Sequence, residues 1–252
     1  MSIASTQRFS DRVANYVRCR PGYPPGVIHL LNREVGLHAG SVIADIGSGT
    51  GISAELLLGA GCEVHAVEPN REMREAAERL LKSQARFHSI DGTAEATTLP
   101  DQSVDGIVAA QAFHWFDQAK TRLEFNRILK PEGFVVLLWN ARHLDTTPFL
   151  RGYEALLQTF ATDYGTVRHE NIEGAPLKGF FKGGVFTEHT LPNAQHFDFE
   201  GLQGRLMSCS YAPAERDPRH APMMAELRRL FDESQREGRV SFEYDTRVYV
   251  GR

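Results

Sequence analysis

The sequence predicts an α/β protein built on a doubly wound, mostly parallel sheet. From residue 41 to residue 140, apolar runs of strand length alternate with helical patterns. The runs are apolar throughout, as strands covered on both faces are. The first strand, VIADIGSGTG over Val42 to Gly51, opens into a turn with glycines on alternate positions, followed by helix-like ISAELLLGAG and a second strand, CEVHAVEP. Glycine suits such a turn because it accepts positive φ and lets a ligand lie against bare backbone.

Residues 1–40 read as two helices joined at RPGYPPG, a flap or brace beside the core. The strands expected next are Ser41–Ile46, Glu63–Val67, Arg86–Ile90, Val104–Ala110 and Phe134–Asn140. After the second strand, Met73, Ala76, Ala77, Leu80 and Leu81 recur at helical spacing, with Asn70 as the N-cap. A further helix spans about Asp117–Leu129 and is stopped by Lys130, Pro131, Glu132 and Gly133, ahead of FVVLLW. Beyond 141 the rhythm changes. A helical pattern near Phe149–Thr162, the stretch KGFFKGG and mixed short segments to about 238 predict a helical lid that selects a substrate. The closing VSFEYDTRVYVGR, over 239–252, alternates like a strand and is expected to return antiparallel to the sheet's edge. The whole is a single domain: a flap over 1–40, a core over 41–140, a lid over 141–238 and a returning strand.

At 252 residues, 42% hydrophobic and 24% charged, the chain can bury a full core. A net charge of −4 offers no excess to neutralise a nucleic-acid backbone. Cys19, Cys62 and Cys209 are odd in number and far apart, which points to reduced thiols and a cytoplasmic setting. The start, MSIASTQRFSDRV, lacks the apolar segment of a signal peptide, and Phe134–Trp139 is too short to span a bilayer, so no membrane partner is expected.

Three readings compete for Gly47, Gly49 and Gly51. A P-loop would need Lys and then Ser or Thr after the last glycine, where Ile52 and Ser53 stand. A dinucleotide fingerprint would place its third glycine at position 52. Asp45 also stands two residues before Gly47, where a carboxylate would repel a pyrophosphate and suits a cationic group. Glu68, at the end of the second strand and 21 residues after Gly47, can accept hydrogen bonds from both hydroxyls of a ribose. Alone it would read as a solvated strand-end acid; joined to the glycine turn, the ribose reading wins. Pro69 then turns the chain, and Met73 can cover an adenine.

Just after the third strand come Asp91, Gly92, Thr93, Ala94 and Glu95, then Leu99-Pro100 and Ser103-Val104-Asp105. This order, with VIADIGSGTG, Glu68 and ILKPEG, resembles the class I S-adenosylmethionine-dependent methyltransferases of the type 11 kind over about residues 40–140. The resemblance implies a seven-stranded Rossmann-like sheet with an antiparallel edge strand. It implies that Gly47, Ser48, Gly49 and Gly51 accommodate the methionine part of the cofactor while Asp45 orients its amino group. Glu68 would hold the ribose, Gly92, Thr93 and Ala94 would border the adenine, and Gln111 the methionine end. AQAFHWF and YVRCRPGYP further resemble a subgroup acting on small molecules, the trans-aconitate methyltransferases among them; there Tyr16, Arg20 and Tyr23 would belong to a flap over the cofactor.

His114 and Trp115 follow the fourth strand at the crevice where doubly wound sheets bind ligands. Trp115 can flank a sulfonium or an acceptor, and His114 can take a proton from the acceptor. The plainer alternative is that both pack beneath the lid. Trp139 and Asn140, ending the fifth strand, are placed alike. Arg216, Arg219, His220, Arg228 and Arg229 read as a solvated face. With no HExxH, CxxC or nucleophile elbow, a metal is not expected. The reading is methyl transfer from S-adenosylmethionine to a small-molecule acceptor, with two alternatives kept open: an NAD-dependent oxidoreductase and a non-catalytic cofactor-binding or regulatory protein.

Overall fold

A computed structural model of the chain describes residues 17, 19–162, 164 and 175–252. Its centre is one seven-stranded sheet in the order β3-β2-β1-β4-β5-β7-β6. The strands are β1 (Val42–Ile46), β2 (Glu63–Val67), β3 (Phe87–Ile90), β4 (Val104–Ala110), β5 (Leu129–Arg142), β6 (Phe186–Phe197) and β7 (Val240–Gly251). The pairs β1–β2, β1–β4, β2–β3 and β4–β5 are parallel, while β7 runs antiparallel to both β5 and β6. The closing strand is thus antiparallel as expected, and it lies one place in from the edge because β6 adds outside it. The sequence reading gave residues 186–197 to the lid. Their mostly polar make-up and Pro192 disguise a strand, and an outer strand tolerates both.

The helices among the described residues are α1 (Gly26–Val35), α2 (Ile52–Gly59), α3 (Arg71–Leu81), α4 (Gln118–Ile128), α5 (Pro148–Phe160), α6 (Ala175–Phe180), α7 (Phe199–Met207) and α8 (His220–Ser234). Asn70 caps α3 by accepting from the Met73 N–H, and Asp117 caps α4 through the Lys120 N–H. Lys130–Gly133, expected to stop this helix, follow its end at Ile128 and lie within β5, whose pairing with β4 shifts register there.

Strand β5 shows why FVVLLW reads as unbroken hydrophobicity. Val135, Leu137 and Trp139 face a core shared with α4 and α6, whereas Phe134, Val136 and Leu138 face one shared with α1 and α2. The Phe134 ring lies so close over Gly106 of β4 that a Cβ there would overlap it. Gly106→Ala is therefore expected to cost about 1–3 kcal/mol by overpacking, read as a lower urea midpoint with unchanged m.

A third core lies in the lid, where α5, α7 and α8 close over Phe197, Val240, Phe242 and Tyr244 at the far ends of β6 and β7. Lid and sheet therefore share strands. The basic cluster is a solvated face, since Arg219 pairs with Asp217, Arg228 with Asp232, and Arg229 with Glu226 and Glu233.

Candidate active site

The turn after β1 holds Gly47, Gly49 and Gly51 at φ of 69°, 57° and 88°, where an L side chain is strained. Each glycine also has its own spatial reason. A Cβ on Gly47 would lie 2.6 Å from the Ala112 Cβ, and one on Gly51 would lie 2.8 Å from Leu81 Cδ1 of α3. At Gly49 a Cβ would enter open space, so no packing neighbour excludes a side chain there and the backbone is left accessible. The turn is fastened to the end of β2, for the Gly47 and Ser48 amides donate to the Val67 carbonyl at 2.8 and 3.3 Å.

Beneath the turn Asp45 is fully buried. Its Oδ2 accepts from the Ser53 hydroxyl at 2.7 Å, and its Oδ1 has no hydrogen-bond partner. Burial pushes its pKa up to about 7, against the lowering effect of Ser53; the nearby Glu68 charge raises it further. A buried carboxylate with an unpartnered oxygen and no cation beside it fits an incoming ammonium group.

Glu68 is 9% exposed at the end of β2. One oxygen accepts from the Gly49 amide at 3.0 Å and the other from the Asn70 amide at 2.9 Å. A carboxylate offers about four acceptor positions, so each oxygen keeps one for a hydroxyl. Burial raises its pKa, while the Asn70 and Gly49 amides and the Arg74 charge hold it down. Arg74, which the sequence reading passed over, donates to the Glu68 carbonyl at 2.8 Å and pairs with Asp91 at 2.9 Å, lacing the ends of β2 and β3 together. Its only sequence signal is a cation one turn into α3, six residues after Glu68.

The residues after β3 make a tight turn in which the Thr93 and Ala96 amides and carbonyls exchange hydrogen bonds. A Cβ on Gly92 would crowd the Thr97 carbonyl and Val67 at 3.0 Å each. Ala94 is buried, Thr93 is half-buried, and Glu95 accepts from the Asp117 amide at the start of α4. Glu95 thus holds the turn to the helix. Pro69 is half-buried beside Glu68, and Met73 is buried on the inner face of α3.

Gln111, after β4, has a positive φ of 56°, uncommon for a residue with a side chain. Its amide donates to the Asn140 carbonyl at 3.3 Å, while its Oε1 is buried without a partner. His114 and Trp115 occupy the 3₁₀ turn Phe113–Trp115, both half-buried, with ring centroids 4.5 Å apart. Trp139 differs: it is 6% exposed and meets Phe113 and Tyr249 edge-on, so its ring contacts are core contacts. Arg20 reaches the lid, donating to the Ser208 carbonyl at 3.1 Å. Tyr16 lies outside the described residues.

An open glycine turn, two buried carboxylates and a strained glutamine thus converge where β1, β2 and β4 end. No group of His, Cys, Asp or Glu among the described residues could hold a metal ion. The fold is similar to that of the class I methyltransferases. Residues 44–137 match the model of the type 11 methyltransferase domain, and the chain carries this S-adenosylmethionine-dependent domain. The chain is 29% identical to an uncharacterised methyltransferase of Schizosaccharomyces pombe, over 96% of this chain and 95% of that one. It is 38% identical to an uncharacterised methyltransferase of Mycobacterium tuberculosis over 134 residues, 53% of this chain and 52% of the other. In fold it is similar to a candidate type II methyltransferase from Anaeromyxobacter dehalogenans, with a TM-score of 0.69 and 22% identity over 92% of this chain and 97% of that one.

Proposed function

We propose that the chain moves the methyl group of S-adenosylmethionine to a small-molecule acceptor. The convergence of the open Gly49 backbone, Glu68 and Gln111 at one edge of the sheet carries this reading. The cofactor supplies an electrophilic methyl on a sulfonium, whose leaving group is already good. Glu68 would hold the ribose hydroxyls, Asp45 would orient the amino group directly or through a water, and Thr93 and Ala94 would border the adenine. Gln111 would direct its unpartnered oxygen at the methionine end. The lid core, sharing β6 and β7 with the sheet, supports an acceptor of small size held in a pocket shielded from water, where positioning supplies most of the rate. No helix among the described residues is long and apolar enough to cross a membrane. The reading assigns the enzyme to the cytoplasm, in keeping with three buried cysteines that form no disulfide.

His114, three residues beyond Gln111, would take the acceptor's proton. Transfer of radiolabelled methyl to a panel of acids, amines and phenols tests the activity. With the acceptor it reveals, His114→Gln is expected to lower kcat about 100-fold with cofactor affinity unchanged. An undiminished kcat would assign His114 to packing instead.

A further inference from the structure

The lid holds a buried cation that pairs with no carboxylate among the described residues. Arg205 on α7 is 7% exposed; its Nη1 donates to Cys209 Sγ at 3.0 Å, its Nε to the Tyr244 hydroxyl at a long 3.5 Å, and its guanidinium lies 5.8 Å from the Phe242 ring centroid. Among the described residues no carboxylate lies within ion-pair distance of it, and its Nη2 has no hydrogen-bond partner. Arg142, the other buried lid arginine, is treated differently: Glu154 accepts from it at 2.6 Å and the Tyr164 hydroxyl lies at 3.1 Å. An unpaired buried guanidinium costs several kcal/mol, so the absence of a counter-charge at Arg205 needs a reason.

Tyr153 supplies a second, independent observation. Its ring packs edge-on against Phe242, the ring beneath Arg205, with centroids 4.8 Å apart. Its hydroxyl is buried and has no hydrogen-bond partner. Burial holds the phenol protonated, so it is a donor with nothing to donate to, linked to Arg205 through the Phe242 ring that both pack against; the Arg142 guanidinium lies 5.2 Å from the Tyr153 ring centroid. A guanidinium edge and a phenol without an acceptor are the complement of an anion.

A chain of hydrogen bonds links the surroundings of Arg205 to the cofactor crevice through residues 19–22. Gln195 donates to the Cys19 carbonyl at 3.2 Å and accepts from the Tyr244 hydroxyl at 3.0 Å. Three residues further on, the Gly22 carbonyl accepts from Asn140 at 3.1 Å, and the Asn140 carbonyl is the one Gln111 donates to. We propose that Arg205 and Tyr153 form a binding site for a carboxylate of the methyl acceptor. This rests on the methyl-transfer reading above. A carboxylate is favoured over a phosphate because its two oxygens match one guanidinium edge and its single charge balances one buried cation. Arg142, the second guanidinium at Tyr153, is already paired with Glu154, which leaves the charge of Arg205 to be balanced. Cys209, lowered to about 7 by Arg205 and Arg20 against the effect of burial, is the group in the protein that competes as counter-charge.

The full chain saturated with S-adenosylhomocysteine is titrated calorimetrically with acetate, succinate, benzoate and inorganic phosphate. At least one carboxylate is expected to bind more tightly than phosphate. Arg205→Gln should weaken it about 10- to 100-fold, as loss of a charged hydrogen bond does. Tyr153→Phe should weaken it about 3- to 10-fold without lowering Tm, because the lost hydroxyl has no partner in the protein. That variant carries the test if Arg205→Gln does not fold. Both should bind S-adenosylhomocysteine as the parent does. If no carboxylate binds, if phosphate binds more tightly, or if Tyr153→Phe binds the carboxylate unchanged, the proposal is overturned. Failure of the parent to bind S-adenosylhomocysteine would instead overturn the methyl-transfer reading.

Discussion

Glu68→Ala is expected to weaken the binding of S-adenosylhomocysteine by roughly 100-fold, or about 3 kcal/mol, the low end for two charge-assisted hydrogen bonds lost together. The loss has two physical sources. The ribose hydroxyls lose a buried charged acceptor, and the Gly49 and Asn70 amides lose theirs as well. The Gly49 amide belongs to the stretch of turn that faces open space, so the surface against which the ligand lies would loosen too. Glu68→Gln separates the two sources, since its one carbonyl oxygen can still serve one amide. It should bind with intermediate affinity by calorimetry. Affinity unchanged in both variants would disprove the ribose assignment.

Most of the core's order was legible in the sequence because its signals are local. The apolar runs, the Asn70 cap and the glycine spacing lie within a few residues of what they determine. Glu68 was singled out by its place after β2 and Gln111 by the family resemblance; the structure puts them at the ends of the two parallel strands that flank β1, Gln111 with a positive φ. What stayed hidden depends on partners far along the chain. Strand β6 is a polar segment that becomes a strand by pairing with β7, and Arg74 matters through Asp91, seventeen positions away. The glycines also carried less information about the ligand than their spacing implied, for two of the three are needed to admit Ala112 and Leu81. Trp139 looked like Trp115 in sequence, each at a strand end; the side chain of one is enclosed by Phe113 and Tyr249 and that of the other is half-buried.

Asp45 makes cofactor affinity depend on pH. In the ligand-free fold its pKa is pushed up to about 7, whereas an unfolded aspartate ionises near 3.9. Between these values the native state binds the extra proton, so stability without ligand falls as pH rises from about 4 to about 7 and levels above. Binding has the opposite sign. An ammonium group meeting Asp45 favours the carboxylate, so affinity for S-adenosylhomocysteine should rise with pH, about tenfold per unit below 7, and flatten above it. Asp45→Asn removes the titration, and its affinity should be weak and nearly constant across the same range. Ser53→Ala should move the bend to higher pH, because the hydroxyl bond that favours the carboxylate is lost. Calorimetric titrations from about pH 5.5 to about pH 8.5 distinguish these cases. If the parent and Asp45→Asn traced the same pH profile, the amino group of the ligand would have no contact with Asp45, and the acid would serve only to hold Ser53 beneath the turn.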